Sequence, residues 1–419
     1  MQRFIRGVCL MLALAAASCG VAKAQHALTW DEVRARFESD NPTLRAGKLG
    51  VDEFHAQETT AYLRPNPNLA LTVDQINPFD GGPPHSTFGS LLTVAAASYL
   101  HERRHKRELR LESAKGATEI AEDTQADLER TLLFTLRMGF VQALQGKAVL
   151  ALAKENLEYY DKVLEVNRER YKAGSIAQMD LDRLELQRIQ YLADLETADV
   201  NLRTAKIQLL ALLNEQTPVD QFDVAGPYEF AAQIAPPDEY RRFAIESRPD
   251  LKAALRAIDK AETDHRLAMA NGSTDPTFAF DVGRNPPIDQ YIGFNVSVPL
   301  RIFDRNQGEK LRTQIDIDRD RRVADAARAQ VYNDVDSAYA TVNSTIVLLK
   351  PYKDLYLAQA ERVRDTVTFA YQHGGVSLLD FLDAQKEYRD TELNYLNLIG
   401  SYLMAASQMN LAVGREVIQ

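Results

Sequence analysis

The chain has 419 residues and a formal net charge of −10, from 49 Lys and Arg against 59 Asp and Glu. That acidic balance excludes a general nucleic-acid binder, which needs a basic surface to neutralise phosphates. Both cysteines, Cys9 and Cys19, lie in the first residues, so once a leader is removed neither disulfides nor a thiol nucleophile remain.

The N-terminus carries Arg3 and Arg6, an apolar run from Val8 to Ala17, and Ala22-Lys23-Ala24 before Gln25. A basic start, an apolar middle and a small-x-small end read as a secretory signal over residues 1–24. The alternative is lipoprotein processing at Cys19, although Ala16-Ala17-Ser18 lacks the leucine usual three positions upstream. No later segment is continuously apolar for about 18 residues, so a membrane span has to come from strands.

A first unit is expected over 25–216. Thr29 with Glu32 forms a capping box for a short helix, and Asn41-Pro42 ends it and starts a second helix to about Leu63. Arg64-Pro65-Asn66-Pro67 then breaks the pattern, and Leu69, Leu71 and Val73 alternate as a strand over about 68–76. A loop of turn formers from Asn77 to Pro84 leads to a weaker strand at about 88–97. From about Tyr99 to Tyr171 there is no proline, and apolar residues recur at helical spacing (Leu132, Leu133, Leu136, Phe140, Leu144). Such a helix would be about 100 Å long, which points to a coiled-coil-like assembly. It reverses at Gly174 and returns from about Met179 to Leu213.

A Pro-containing linker, 217–237, separates this from a second unit at 238–414, followed by a short tail at 415–419. Arg248-Pro249 echoes Asn41-Pro42. Phe278, Phe280 and Val282 alternate as a strand at about 277–283, and Ile292, Phe294, Val296 and Val298 as another at about 291–299. A long helix is expected from about Asn306 to Tyr371, then a turn at Gly374-Gly375, then a helix to about Val413. The fold class is therefore mainly α with a small β part, a helix, strand, strand, long helix, helix programme that occurs twice.

The two turns correspond residue by residue: Tyr171, Gly174 and Asp180 recur as Tyr371, Gly374 and Asp380 at identical spacing. Gly174 and Gly374 are expected to take a left-handed conformation that ends one helix and lets the chain reverse. Four strands cannot close a barrel, and an open sheet edge in lipid leaves backbone groups unsatisfied. The long helices likewise need neighbours along an apolar stripe. Together they predict a homo-oligomeric tube in contact with outer-membrane lipid; the alternative is a soluble periplasmic coiled-coil scaffold.

With its paired tips, its duplicated programme and the segment from Val298 to Gly308 (Val298-Pro299-Leu300-Arg301-Ile302-Phe303-Asp304-Arg305-Asn306-Gln307-Gly308), the chain resembles the TolC family of outer-membrane efflux factors. The last segment is similar to the cation-efflux (CzcC-like and CusC-like) branch. The resemblance implies a homotrimer in the outer membrane, with a twelve-stranded barrel continued by an α-helical tunnel through the periplasm. It also implies a passive exit duct for cations or small molecules, no enzyme and no cofactor, working with a periplasmic adaptor and an inner-membrane transporter of RND type. By position, Asp380 and Asp383 match the acidic pair of the periplasmic entrance, and Tyr371 the tyrosine that helps hold it closed. Val376 stands where the family has an arginine, so closure is expected to rest on packing and the acidic residues. The tips, with Tyr171, Gly174, Ser175, Asp180, Gly374, Gly375 and Ser377, would dock the adaptor.

One motif points elsewhere. His101-Glu102-Arg103-Arg104-His105 has the H-E-x-x-H spacing of zinc hydrolases, which would need both imidazoles on one helix face and Glu102 as base. Arg103, Arg104, Lys106 and Arg107 surround it, and a dication binds poorly among uncompensated positive charge. The plainer reading is a basic collar where the second strand hands over to the long helix. His85 and His373 each stand alone.

Overall fold

The computed structural model of the chain describes residues 27–76, 91–231 and 233–418. The leader with Cys19, the loop from Asn77 to Pro84 and His85 lie outside the described residues. The order of elements is α1 (Trp30–Asp40), α2 (Pro42–Tyr62), β1 (Asn68–Asp74), β2 (Leu92–Leu100), α3 (Lys106–Lys172) and α4 (Gln178–Leu212). After a linker come α5 (Pro237–Ser247), α6 (Pro249–Asn271), β3 (Thr277–Asn285) and β4 (Ile288–Ser297). The chain ends with α7 (Gln307–Pro351), a π-helical turn (Tyr352–Tyr356), α8 (Leu357–Gln372) and α9 (Leu378–Val413).

Local chemistry sets most of these boundaries. Thr29 and Glu32 form the capping box of α1, and the Asn41 side chain accepts from the N–H groups of Thr43 and Leu44 to start α2, with Pro42 in its first turn. Gly174 and Gly374 take φ values of 74° and 77°, where a Cβ would be strained, and so permit the two reversals. Gly146 allows α3 and α4 to approach closely: a Cβ there would lie 3.1 Å from the Leu202 Cα.

Several boundaries differ from the sequence reading: β1 stops at Asp74, β3 runs on to Asn285, and β4 spans Ile288–Ser297 rather than about 291–299. The second strand runs to Leu100, because Tyr99 pairs with Phe278 and Leu100 with Thr277. The long helix therefore begins at Lys106 rather than near Tyr99, after Arg104 and His105 adopt left-handed φ angles of 61° and 54°. The second long helix is interrupted. Pro351 has no N–H to give to the preceding turn, and the helix passes through the π turn before resuming as α8.

Among the described residues the helices bury three larger cores and a small one of Leu150, Ala153, Ala198 and Leu202 between α3 and α4. Val33, Phe37, Leu44, Leu136, Phe140 and Leu209 form one beneath α1 and α2. Leu251, Val331, Val335, Leu349, Tyr402 and Met409 form a second under α5 and α6. Tyr160, Leu164, Leu184, Tyr191, Tyr371 and Phe381 form a third toward the hairpin tips. At the start of α6 the Arg248 guanidinium, 4% exposed, pairs with Asp250 at 2.6 Å and Asp334 at 2.7 Å.

The strands make one antiparallel sheet in the order β1-β2-β3-β4. Leu69, Leu71, Phe280, Ile292 and Phe294 point outward and stay exposed, Leu71 at 75%. β1 and β4 are both edges. Among the described residues no helix is long and apolar enough to cross a membrane, a statement that does not bear on strands.

Candidate functional site

The two hairpin tips share one backbone design. The N–H of Ser175 reaches the Arg170 carbonyl at 2.8 Å, and the N–H of Gly375 reaches that of Ala370 at 2.8 Å, closing the last turns of α3 and α8. Both turns are exposed: Tyr171 to Ser175 in the first, Gln372 to Gly375 in the second.

Their side chains part company at the tyrosines. Tyr171 is 38% exposed, whereas Tyr371 is 6% exposed. Tyr371 stacks on Phe381, with ring centroids 4.8 Å apart, and its hydroxyl donates to Asn167 Oδ1 at 3.0 Å. Asn167 is itself buried, and its Nδ2 donates to the Val163 carbonyl of its own helix at 2.9 Å, which aims Oδ1 at the tyrosine. The Arg170 guanidinium carbon lies 5.1 Å from the Tyr371 ring centroid, within cation–π range. Burial pushes the Tyr371 hydroxyl above its ordinary pKa, with Arg170 pulling the other way, so it stays a donor.

A polar hold on the second hairpin is thus present despite Val376. It comes from α3, and sequence reasoning missed both Asn167 and Arg170. Asn167 lies 204 positions from Tyr371, with no local signal beyond an amide inside a helix. Further along, Gln385 Nε2 donates to Thr368 Oγ1 at 3.0 Å and Tyr159 lies 3.4 Å from the same hydroxyl. Arg364 sits 3.9 Å from the Tyr388 centroid. Beside the π turn, a cavity of about 280 Å³ opens between Tyr352, Tyr356, Val363, Ala384 and Tyr388.

The acidic residues occupy two different settings. Asp380 forms a capping box with Ser377: its Oδ2 accepts from the Ser377 hydroxyl at 2.7 Å and the Ser377 N–H at 3.0 Å. Those two bonds hold its carboxyl below the usual range. Asp383, three residues on, lies along the same stretch of α9, and a three-residue spacing puts both carboxylates on one side of that helix. In the first tip Ala177 offers no side-chain cap, Asp180 is half-buried and Arg183 is exposed.

The H-E-x-x-H stretch is not a metal site. Residues 101–105 are non-helical, so the spacing that would align the imidazoles is lost. His101 packs edge-on against Phe278, and both Glu102 oxygens bind Arg110, at 2.5 and 2.9 Å. No group of His, Cys, Asp and Glu able to hold a metal occurs among the described residues. Within the basic collar, Lys106 pairs with Asp275 at 2.5 Å and Arg107 with Glu108 at 2.9 Å, while the Arg103 guanidinium donates to Thr274. His373 stacks on Phe369 and shares a hydrogen bond with its carbonyl at 2.8 Å, a local contact at the helix end.

A long helical body with exposed tips and a small sheet is the geometry of a known family, whose model, described as outer membrane efflux protein, matches residues 34–215 and 242–415. The chain belongs to that family. It is similar to the cobalt-zinc-cadmium resistance protein CzcC of Cupriavidus metallidurans, at 22% identity over 93% of this chain and 90% of that protein. It is also similar to the outer membrane protein TolC of Escherichia coli, at 20% identity over 72% of this chain and 64% of that one. Among solved structures, the fold matches CusC with a TM-score of 0.78 and 18% identity, covering 92% of each chain. It matches the open state of the Neisseria gonorrhoeae MtrE outer membrane channel with a TM-score of 0.76 and 17% identity, over 93% of this chain and 89% of that one. The family is one of outer-membrane efflux channels that work with adaptors and inner-membrane transporters, not of enzymes. Its place is the outer membrane.

Proposed function

We propose that three copies of this chain assemble into a duct, each supplying four strands to a closed barrel and its helices to a periplasmic tunnel. The sheet carries this reading. It has two unpaired edges and an exposed apolar face, which a lone chain in lipid could not sustain, since every unpaired backbone group there costs several kcal/mol. Closure by further copies satisfies both edges and turns Leu69, Leu71, Phe280, Ile292 and Phe294 to lipid. The repeated order of helix pair, strand pair and hairpin supports an internal duplication, and the leader over 1–24 supports export. The soluble-scaffold alternative leaves that apolar face in water without a partner.

In this duct the hairpin tips form the periplasmic entrance. The exposed turns dock the adaptor, Asp380 and Asp383 crowd carboxylates around the opening, and the Tyr371–Asn167 bond keeps the second hairpin closed. Cations are the favoured cargo at such an entrance, in keeping with the metals in the name of CzcC; an inner-membrane transporter of RND type would choose among them. Membrane fractionation tests the assembly. Recovery from the outer membrane as a heat-modifiable trimer is expected, and release as a soluble monomer would sink the duct. For the entrance, Asp380→Asn with Asp383→Asn should weaken cation preference and block by divalent ions in planar bilayers; an unchanged current would count against that role.

A further inference from the structure

The register of the sheet sorts its residues into rows, and one row stands apart. On the less apolar face, Asn68, Ser98, Ala279 and Asn295 share a row nearest the helices. Next come Ala70, Ala96, Asp281 and Gly293, then Thr72, Val94, Gly283 and Tyr291. The rows between them, Leu69-Ala97-Phe280-Phe294 and Leu71-Ala95-Val282-Ile292, make the opposite, apolar face. Across these rows Asp281 is the only charged residue; on the same face Asp74 follows one row farther out, paired with Leu92, its carboxylate accepting from the Gln75 N–H at 2.7 Å.

Its surroundings are built around it. The row partners are two alanines and a glycine, so nothing in the row is bulkier than the carboxylate. A Cβ at Gly293 would lie 2.6 Å from each Asp281 carboxylate oxygen, so only glycine lets that carboxylate lie across β4. The Asp281 side chain makes no hydrogen bond or ion pair among the described residues. An unpaired carboxylate halfway along a membrane strand is tolerated where it meets water, not lipid.

We propose that Asp281 sets the charge preference of the barrel, drawing small hydrated cations through the outer-membrane section and slowing anions. This rests on the trimeric duct reading, in which symmetry brings one Asp281 from each copy to a single level of the lumen. Small neighbours leave that level wide, so the carboxylates act through their field rather than by stripping water from the ion. The effect is therefore strongest at low ionic strength, where the Debye length is longest. It is separate from the entrance carboxylates, which lie at the far end of the helices.

The test is the reversal potential of the purified full-length protein in planar bilayers under a KCl gradient. Asp281→Asn should lower the K⁺ to Cl⁻ permeability ratio by about threefold at low salt and by much less near 1 M. Adding Ala96→Asp, directly paired to position 281 in the same row, should restore it. A ratio unchanged by Asp281→Asn in channels that still conduct would overturn the proposal. Should Asp281→Asn fail to assemble, Ala96→Asp alone decides: a raised ratio supports the proposal and an unchanged one overturns it. A wild-type protein that forms no channels would instead sink the duct reading itself, whatever the variants do.

Discussion

The two halves of the molecule use the same backbone plan and hold it with different chemistry. The first half starts its helix pair with a neutral cap, Asn41, whose Nδ2 also donates to the Leu212 carbonyl at 3.0 Å. The second starts with Arg248, buried between Asp250 and Asp334. At the far end, the first tip leaves Tyr171 in solvent and its return helix uncapped, while the second buries Tyr371 and caps α9 through Ser377 and Asp380. The first long helix is continuous over 67 residues, and the second is broken at Pro351. A continuous hairpin whose polar ties run between its own two helices, Arg188 to Asp161 at 2.5 Å and Tyr160 to the Leu184 carbonyl at 2.9 Å, is thus paired with a jointed one tied across to α3 through Tyr371 and Asn167. That division suits a duct in which one hairpin serves as wall and the other as gate.

The contrast can be broken most severely at the base. Arg248→Met strands two acidic partners and should cost about 3–5 kcal/mol, against about 1 kcal/mol for Asn41→Ala; urea unfolding of the two variants measures the gap. Acid should show the same asymmetry. Burial pushes the Asp250 carboxyl up, and its hydrogen bond and ion pair with Arg248 more than offset this, leaving it below the usual range. A depressed carboxylate contributes stability that is fully present above its unfolded pKa of about 3.9 and is lost as pH falls through its folded value. Hydrogen exchange across that acidic window should therefore rise around the base of α6 first, and Arg248→Met should remove the dependence. Rising exchange of α2 at the same pH would show that the fastening is not specific to the second half.

The caps offer a smaller effect. Ser377→Ala should destabilise the start of α9 by about 1 kcal/mol, and Ala177→Ser should give α4 part of the cap it lacks. Helix-end exchange rates read both changes, and equal responses at the two tips would erase the difference.

What could be read from the sequence was what is decided within a few residues. The Thr29–Glu32 box, the Pro42 start, the two glycine reversals and the alternation of Phe278, Phe280 and Val282 all stand in the structure, because caps, left-handed turns and strand faces are local. The mainly helical class followed from them, and the family resemblance agreed. Long-range partners were not legible. Nothing near Tyr371 points to Asn167, which only the packing of α8 against α3 brings to it. Pro351 is a visible warning of the break in the second long helix, masked by the helical periodicity on both sides. His101 and His105 show why a spacing has to be read with its element: the zinc pattern requires a helix, and these residues lie outside one, at the left-handed handover from strand to helix.

If the second hairpin, fastened through Tyr371 and Asn167, is the gate of the proposed duct, loosening that bond opens it. Single-channel conductance of wild type, Tyr371→Phe and Tyr171→Phe in planar bilayers tests it most directly. Tyr371→Phe leaves the buried Asn167 oxygen unpaired, a loss of about 1–3 kcal/mol, so conductance should rise well above wild type while Tyr171→Phe stays at the wild-type level. Equal conductance in all three, or a rise in Tyr171→Phe alone, would contradict it.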